Sequence, residues 1–192
     1  MKVNVREISG NWSKGYSLDK HILRSEFLGH SSSGYPEFKN TRSEAGESLF
    51  QLKYRDDRSQ AKPLAAQIVE SIYPLFDTVG LIVPMPASKA RNWQPVTEIA
   101  LEIGVLTKLP VFQKILTKIP TGQSLKDLGS KDERAKALEG KIELGNEING
   151  DGKWNALLID DRYDTGASVE AACAILHSYD KINKIFVATV TW

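Results

Sequence analysis

The chain has 192 residues, 41% of them hydrophobic and 26% charged, which suits one domain with an ordinary core and excludes the collagen-like, disordered and membrane-spanning classes. A net charge of +1, from 25 Lys and Arg against 24 Asp and Glu, argues against a chain whose main work is coating nucleic acid or anionic lipid. Cys173 is the only cysteine, so an internal disulfide and a Cys-rich zinc site are excluded; with no apolar signal segment at the start, the expected setting is the cytoplasm.

Residues 1–45 hold GNWSKGYSLD and HSSSGYPEF, turn-rich stretches between short β pieces, and are expected to form a small β-rich hood. Residues 46–192 are expected to form an α/β core. Leu64, Ile68 and Ile72 recur at helical spacing over residues 61–73. VGLIV at 79–83 reads as a strand buried on both faces. Residues 95–104 read as a helix closed by Gly104. LPVFQKIL is a short strand, and residues 118–129 are a polar loop. Ser130 and Glu133 have capping-box spacing for a helix reaching about Leu138, and GKIEL is the next short strand. NALLI at 155–159 is a second buried strand, followed by a helix over 168–179, and KIFVATV is a third. Strand and helix alternate, which predicts a parallel sheet with helices on both faces and a ligand site beyond the carboxyl ends of the strands.

LLIDDRYDTGASVEAA, residues 157–172, carries the most chemistry. A buried strand delivers Asp160 and Asp161, and a small-residue turn then leads into a helix. Backbone N–H groups of such a turn, the helix N-terminus and the hydroxyls of Thr165 and Ser168 together suit a phosphate. Neighbouring carboxylates cannot bind phosphate but suit sugar hydroxyls or Mg²⁺. Charge elsewhere fits an anionic ligand: residues 108–141 hold eight Lys and Arg against four Asp and Glu.

The string resembles the phosphoribosyl pyrophosphate (PRPP) motif of type I phosphoribosyltransferases, with Arg162 where that motif has an aliphatic residue. LIVPMPASKARNWQPVTEIALEIG and KIPTGQSLKDLGSKDERAKALEGKIEL are similar to the pyrophosphate loop and flexible loop of the ComF-like branch, whose N-terminal zinc-binding cysteine pairs this chain lacks. The resemblance implies the type I phosphoribosyltransferase fold and transfer of ribose-5-phosphate from PRPP to a small-molecule nitrogen acceptor, with Mg²⁺ as cofactor. It implies that Asp160 and Asp161 bind ribose hydroxyls or the metal. Asp164, Thr165, Gly166, Ala167 and Ser168 would hold the 5′-phosphate, and Asp164 would also face the incoming base as a catalytic group or else cap the turn. Ala87, Ser88, Lys89 and Arg91 would hold pyrophosphate, and Lys126 and Arg134 would belong to the flexible loop or its flank, with Lys118 and Lys131 as weaker candidates. Two other readings stand beside this one: a PRPP or nucleotide sensor without turnover, and a competence-type DNA-uptake protein, although the net charge counts against direct DNA binding. No membrane partner is expected, and a homodimer is a common state in that fold family. The Lys53-Tyr54-Arg55 patch reads equally as an anion contact or a solvated face. His21, His30 and His177 show no metal-ligand or triad spacing, which reads as surface or core placement.

Overall fold

The computed structural model describes residues 1–87, 92–119, 130–138, 140–145 and 148–192. Strands β1 (Arg6–Glu7), β2 (Lys14–Asp19), β5 (Leu81–Pro84), β8 (Trp154–Arg162) and β9 (Ile182–Thr191) form one sheet in the order β1-β2-β9-β8-β5. Every pairing in it is parallel except that of β1 with β2 at the edge. The fold is therefore α/β, a mostly parallel sheet flanked by helices on both faces.

Alternation along the central strands divides the core in two. Leu157 and Ile159 of β8, with Phe186 and Ala188 of β9, pack with residues of α1 (Glu44–Tyr54), α2 (Ala61–Ser71) and α3 (Pro95–Thr107). Ala156 and Leu158, with Ile185 and Val187, face α5 (Ala167–His177) and the small hairpin of β6 (Leu116–Lys118) and β7 (Ile142–Leu144). Both sides of β8 are apolar because both are covered. Cys173 is buried in the second layer, and burial, reinforced by Glu170, pushes its thiol up to about 12. No described helix is long and apolar enough to cross a membrane.

The N-terminal segment is rich in strands, and part of it enters the central sheet. β1 and β2 belong to the central sheet, β2 pairing with β9 from Lys14↔Phe186 to Asp19↔Thr191. Of the N-terminal strands, β3 (Ile22–His30) and β4 (Pro36–Arg42) form a two-stranded hairpin outside that sheet. Leu23, Phe27, Leu28, Tyr35 and Phe38 are exposed on it. The boundary at residue 45 also cuts α1, whose N-cap Ser43 accepts a hydrogen bond from the Gly46 amide at 2.9 Å.

Two helix ends follow from local chemistry. Ser130 Oγ accepts from the Glu133 amide while Glu133 Oε2 accepts from the Ser130 amide, both at 3.1 Å, so the reciprocal capping box opens α4 (Lys131–Leu138) as its spacing predicts. The helix expected to stop at Gly104 continues to Thr107. It closes at Lys108, which takes a left-handed conformation (φ 59°) and donates its amide to the Gly104 carbonyl.

Gly46 fixes α1 against the end of β2. A Cβ there would lie 2.3 Å from the His21 carbonyl oxygen, a backbone atom with little room to yield. Gly46→Ala is expected to cost about 2 kcal/mol, as overpacking does, and to lower Tm by roughly 4–8 °C. A calorimetric melt checks this; an unchanged Tm would show that α1 shifts without cost.

Candidate functional site

Strands β2, β9, β8 and β5 all end at the same edge of the sheet, and the charged residues gather there. The segment leaving β5 is held beside β8, with the Met85 amide donating to the Ile159 carbonyl at 2.8 Å. Ala87 lies just beyond it and is exposed. Ser88, Lys89, Arg91 and Lys126 lie outside the described residues.

β8 runs three residues further than the apolar run, through Asp160, Asp161 and Arg162. The ladder continues because Asp160 pairs with Thr189 and Arg162 with Thr191 of β9, whatever the side chains carry. Consecutive strand residues point to opposite faces, so the two carboxylates diverge. Asp161 lies on the α1 face, where Lys53 Nζ meets its Oδ2 at 2.5 Å. Both side chains keep only about a fifth of their exposure, 23% and 18%. Asp160 lies on the α5 face, its Oδ1 accepting from the Asp161 amide at 2.8 Å. Burial pushes the Asp160 carboxyl up to about 7, and the charge of Asp161 acts in the same sense; Lys53 and Lys118 oppose it. Burial in turn lowers Lys118, at the end of β6, against the pull of Asp160. Level with Asp160 across the sheet, Thr189 Oγ1 and Ser17 Oγ are buried without hydrogen-bond partners among the described residues.

Beyond Arg162 the chain turns into α5. The Tyr163 amide donates to the Thr191 carbonyl at 2.7 Å and its hydroxyl to the Ser9 carbonyl at 3.3 Å, while its ring meets Trp12 edge-on at 6.3 Å. Asp164 is exposed and ion-paired to Arg134 of α4 at 2.5 Å. Thr165 Oγ1 faces the Ala167 amide at 3.5 Å. Gly166, at φ 83°, is the N-cap of α5 and has no side chain of its own to cap the first-turn amides of that helix. Ala167 and Ser168 open the helix. The arrangement is a helix N-terminus with glycine at its N-cap, flanked by carboxylates and cations, and it can take an anion and a polyol side by side.

Three residues with no informative spacing complete the edge. The His21 amide donates to the Trp192 carbonyl at 2.9 Å, which joins the ends of β2 and β9. Arg42 Nη1 meets Glu47 at 3.2 Å, and its guanidinium lies 3.8 Å from the Phe50 ring centroid. Burial first, then Arg162, Arg42 and Lys53, push His21 down to about 4; Asp161 opposes them. Sequence order gives no hint of this cluster, because only the parallel pairing of β2 with β9 brings His21 to the edge.

No protein-family model matches the chain, and no curated protein sequence matches it. Solved structures similar to it include adenine phosphoribosyltransferase from Leishmania tarentolae, 10% identical over 98% of this chain and 94% of that one, with a TM-score of 0.48. The Trypanosoma brucei adenine enzyme, in complex with AMP, pyrophosphate and ribose-5-phosphate, is 12% identical over 98% and 74% at 0.48. The Saccharomyces cerevisiae adenine enzyme is 13% identical over 88% and 85% at 0.44.

A cavity of about 300 Å³, lined by Leu81, Phe112, Ile148 and Trp154 among others, lies at the opposite end of β5 and β8, away from the carboxylates.

Proposed function

We propose that the chain binds PRPP at this edge and transfers its ribose-5-phosphate to a nitrogen acceptor. The observation that carries the reading is continuity: β8 carries two carboxylates near its end, and five residues after Asp161 the glycine N-cap Gly166 opens a helix. The amides of Gly166, Ala167 and Ser168 suit the 5′-phosphate, with the Thr165 and Ser168 hydroxyls beside them. Asp160 and Asp161 suit the ribose hydroxyls, and the ion pair with Lys53 orients Asp161. Pyrophosphate is assigned to the segment that leaves β5 at Ala87. Arg134 holds Asp164 toward α4, so a role for Asp164 at the incoming base requires that ion pair to open.

In the transfer, the acceptor nitrogen bonds to C1 of the ribose. The bond from C1 to the pyrophosphate oxygen breaks, and its electron pair leaves with pyrophosphate through an oxocarbenium-like transition state. Among the described residues no group of three acidic, His or Cys side chains could hold a metal, so none of them forms an all-protein cage. The donor set does fit Mg²⁺, which commonly takes one or two carboxylates together with substrate phosphates. Asp160 would hold it on the α5 face and Asp161 would contribute through the ribose; the ion supplies charge neutralisation of the departing pyrophosphate.

Calorimetric titration of PRPP, with and without Mg²⁺, tests this on the wild type and on a variant carrying Asp160→Asn and Asp161→Asn. Two charged hydrogen-bonding groups are removed, so the expected loss of affinity is about a hundredfold or more. No binding to wild type, or undiminished binding to the variant, overturns the reading.

A further inference from the structure

We propose that the acceptor is a nitrogen nucleophile bearing a carboxylate, seated between the ends of β2 and β9 and the start of α1. This rests on the transferase reading above and narrows it to a substrate class.

The sheet order places the seat. A nucleophile entering at C1 approaches opposite the leaving group. Pyrophosphate is assigned to the segment following β5, on one side of β8, and the other side of β8 is occupied by β9 and then β2. The acceptor therefore comes in over Trp192 and His21, which lie just past the ends of those strands and are joined by a backbone hydrogen bond.

The side chains there specify what it carries. Arg42 Nε, Trp192 Nε1 and His21 Nδ1 are buried atoms without hydrogen-bond partners among the described residues. Guanidinium and indole N–H groups are donors only, and a neutral imidazole nitrogen turns donor or acceptor with its tautomer. Buried donors left unpaired are costly, so a ligand rich in acceptor oxygens is the one that satisfies them. An exocyclic amine, itself a donor, does not. The field agrees: Arg162, Arg42 and Lys53 all act on His21 against Asp161, with Glu47 paired to Arg42. A further guanidinium, that of Arg6, sits 4.6 Å from the Trp192 ring centroid. A carboxylate brings both the negative charge and the acceptor oxygens, and charge-assisted hydrogen bonds to Arg are the strong kind.

The test measures pyrophosphate release from PRPP and Mg²⁺, and calorimetric binding in their presence, with matched probes: nicotinate against nicotinamide, orotate against uracil, and adenine as the amine-bearing comparison. PRPP binding alone is measured first. At least one carboxylated probe is expected to exceed its neutral counterpart about tenfold or more. Arg42→Gln and, separately, His21→Asn are expected to remove most of that preference while PRPP affinity stays within about twofold. Thermal melts confirm folding, and the His21 variant stands if loss of the Arg42–Glu47 contact unfolds the other. PRPP binding with no carboxylate preference, with no acceptor bound, or with a preference retained in both variants overturns this inference alone. Failure of PRPP to bind overturns the transferase reading and this inference with it.

Discussion

Gly166→Val is expected to lower affinity for PRPP more than a hundredfold while the sheet stays folded. Gly166 sits at φ 83°, where an L-residue is strained by roughly 1–2 kcal/mol and a β-branched one by more. A Cβ there would also lie 2.9 Å from Tyr163 Oη and 3.1 Å from its Cε2. Tyr163 has little freedom to retreat, since its amide is tied to Thr191, its hydroxyl to Ser9 and its ring to Trp12. The turn must therefore move, and the amides at the start of α5 move with it. Phosphate binding by fixed amides depends on their convergence, and losing two charge-assisted hydrogen bonds costs about a hundredfold or more in affinity. Calorimetric titration of PRPP reads the effect, and circular dichroism reads the fold. A double variant, Gly166→Ala with Tyr163→Ala, relieves the clash but leaves the backbone strain, so Tm is expected to recover in part and binding is not. Wild-type affinity in the valine variant would remove α5 from the phosphate site.

What was legible in the sequence is what is contiguous. The string from Leu157 to Ala172 shows a buried strand, two carboxylates, a small turn and a helix start, and all four occupy consecutive stretches of β8 and α5. The Ser130–Glu133 box is equally local and forms as its spacing predicts. Elements stabilised by distant partners were hidden. β2, KGYSLD, carries a glycine and alternates too weakly to announce a strand, yet Leu18 is fully buried once β9 pairs with it. α1 presents only a thin apolar stripe of Ala45, Leu49 and Leu52, and its helical state depends on the Ser43 cap and on packing against the sheet. The same physics hides part of the site. Lys53 reads as one of several basic surface residues until α1 docks and brings it to Asp161. His21, Arg42 and Trp192 come from three separate elements and meet only through the order of strands.

Asp160 is expected to make the free protein less stable as pH rises, and Asp160→Asn to abolish that dependence. The carboxyl is raised from its ordinary value of 3.8 to about 7, chiefly by burial. Between those two values the folded chain keeps a proton that the unfolded chain has released. Its contribution to stability is therefore complete below about pH 4 and is lost as pH rises through about 7, above which the full cost of a buried charge remains. The asparagine variant keeps the shape and discards the charge. Its melting temperature is expected to match wild type near pH 4 and to exceed it increasingly up to pH 8, by on the order of 2–4 kcal/mol of stability. Asp161→Asn separates the causes. It removes the neighbouring charge that also raises Asp160 and leaves Lys53 acting on Asp160 alone, so the pH-dependent loss is expected to shift to lower pH and not vanish. Equal stabilisation by Asp160→Asn at pH 4 and pH 8 would mean that Asp160 is ionised throughout, and that this half-buried edge of the sheet is well solvated.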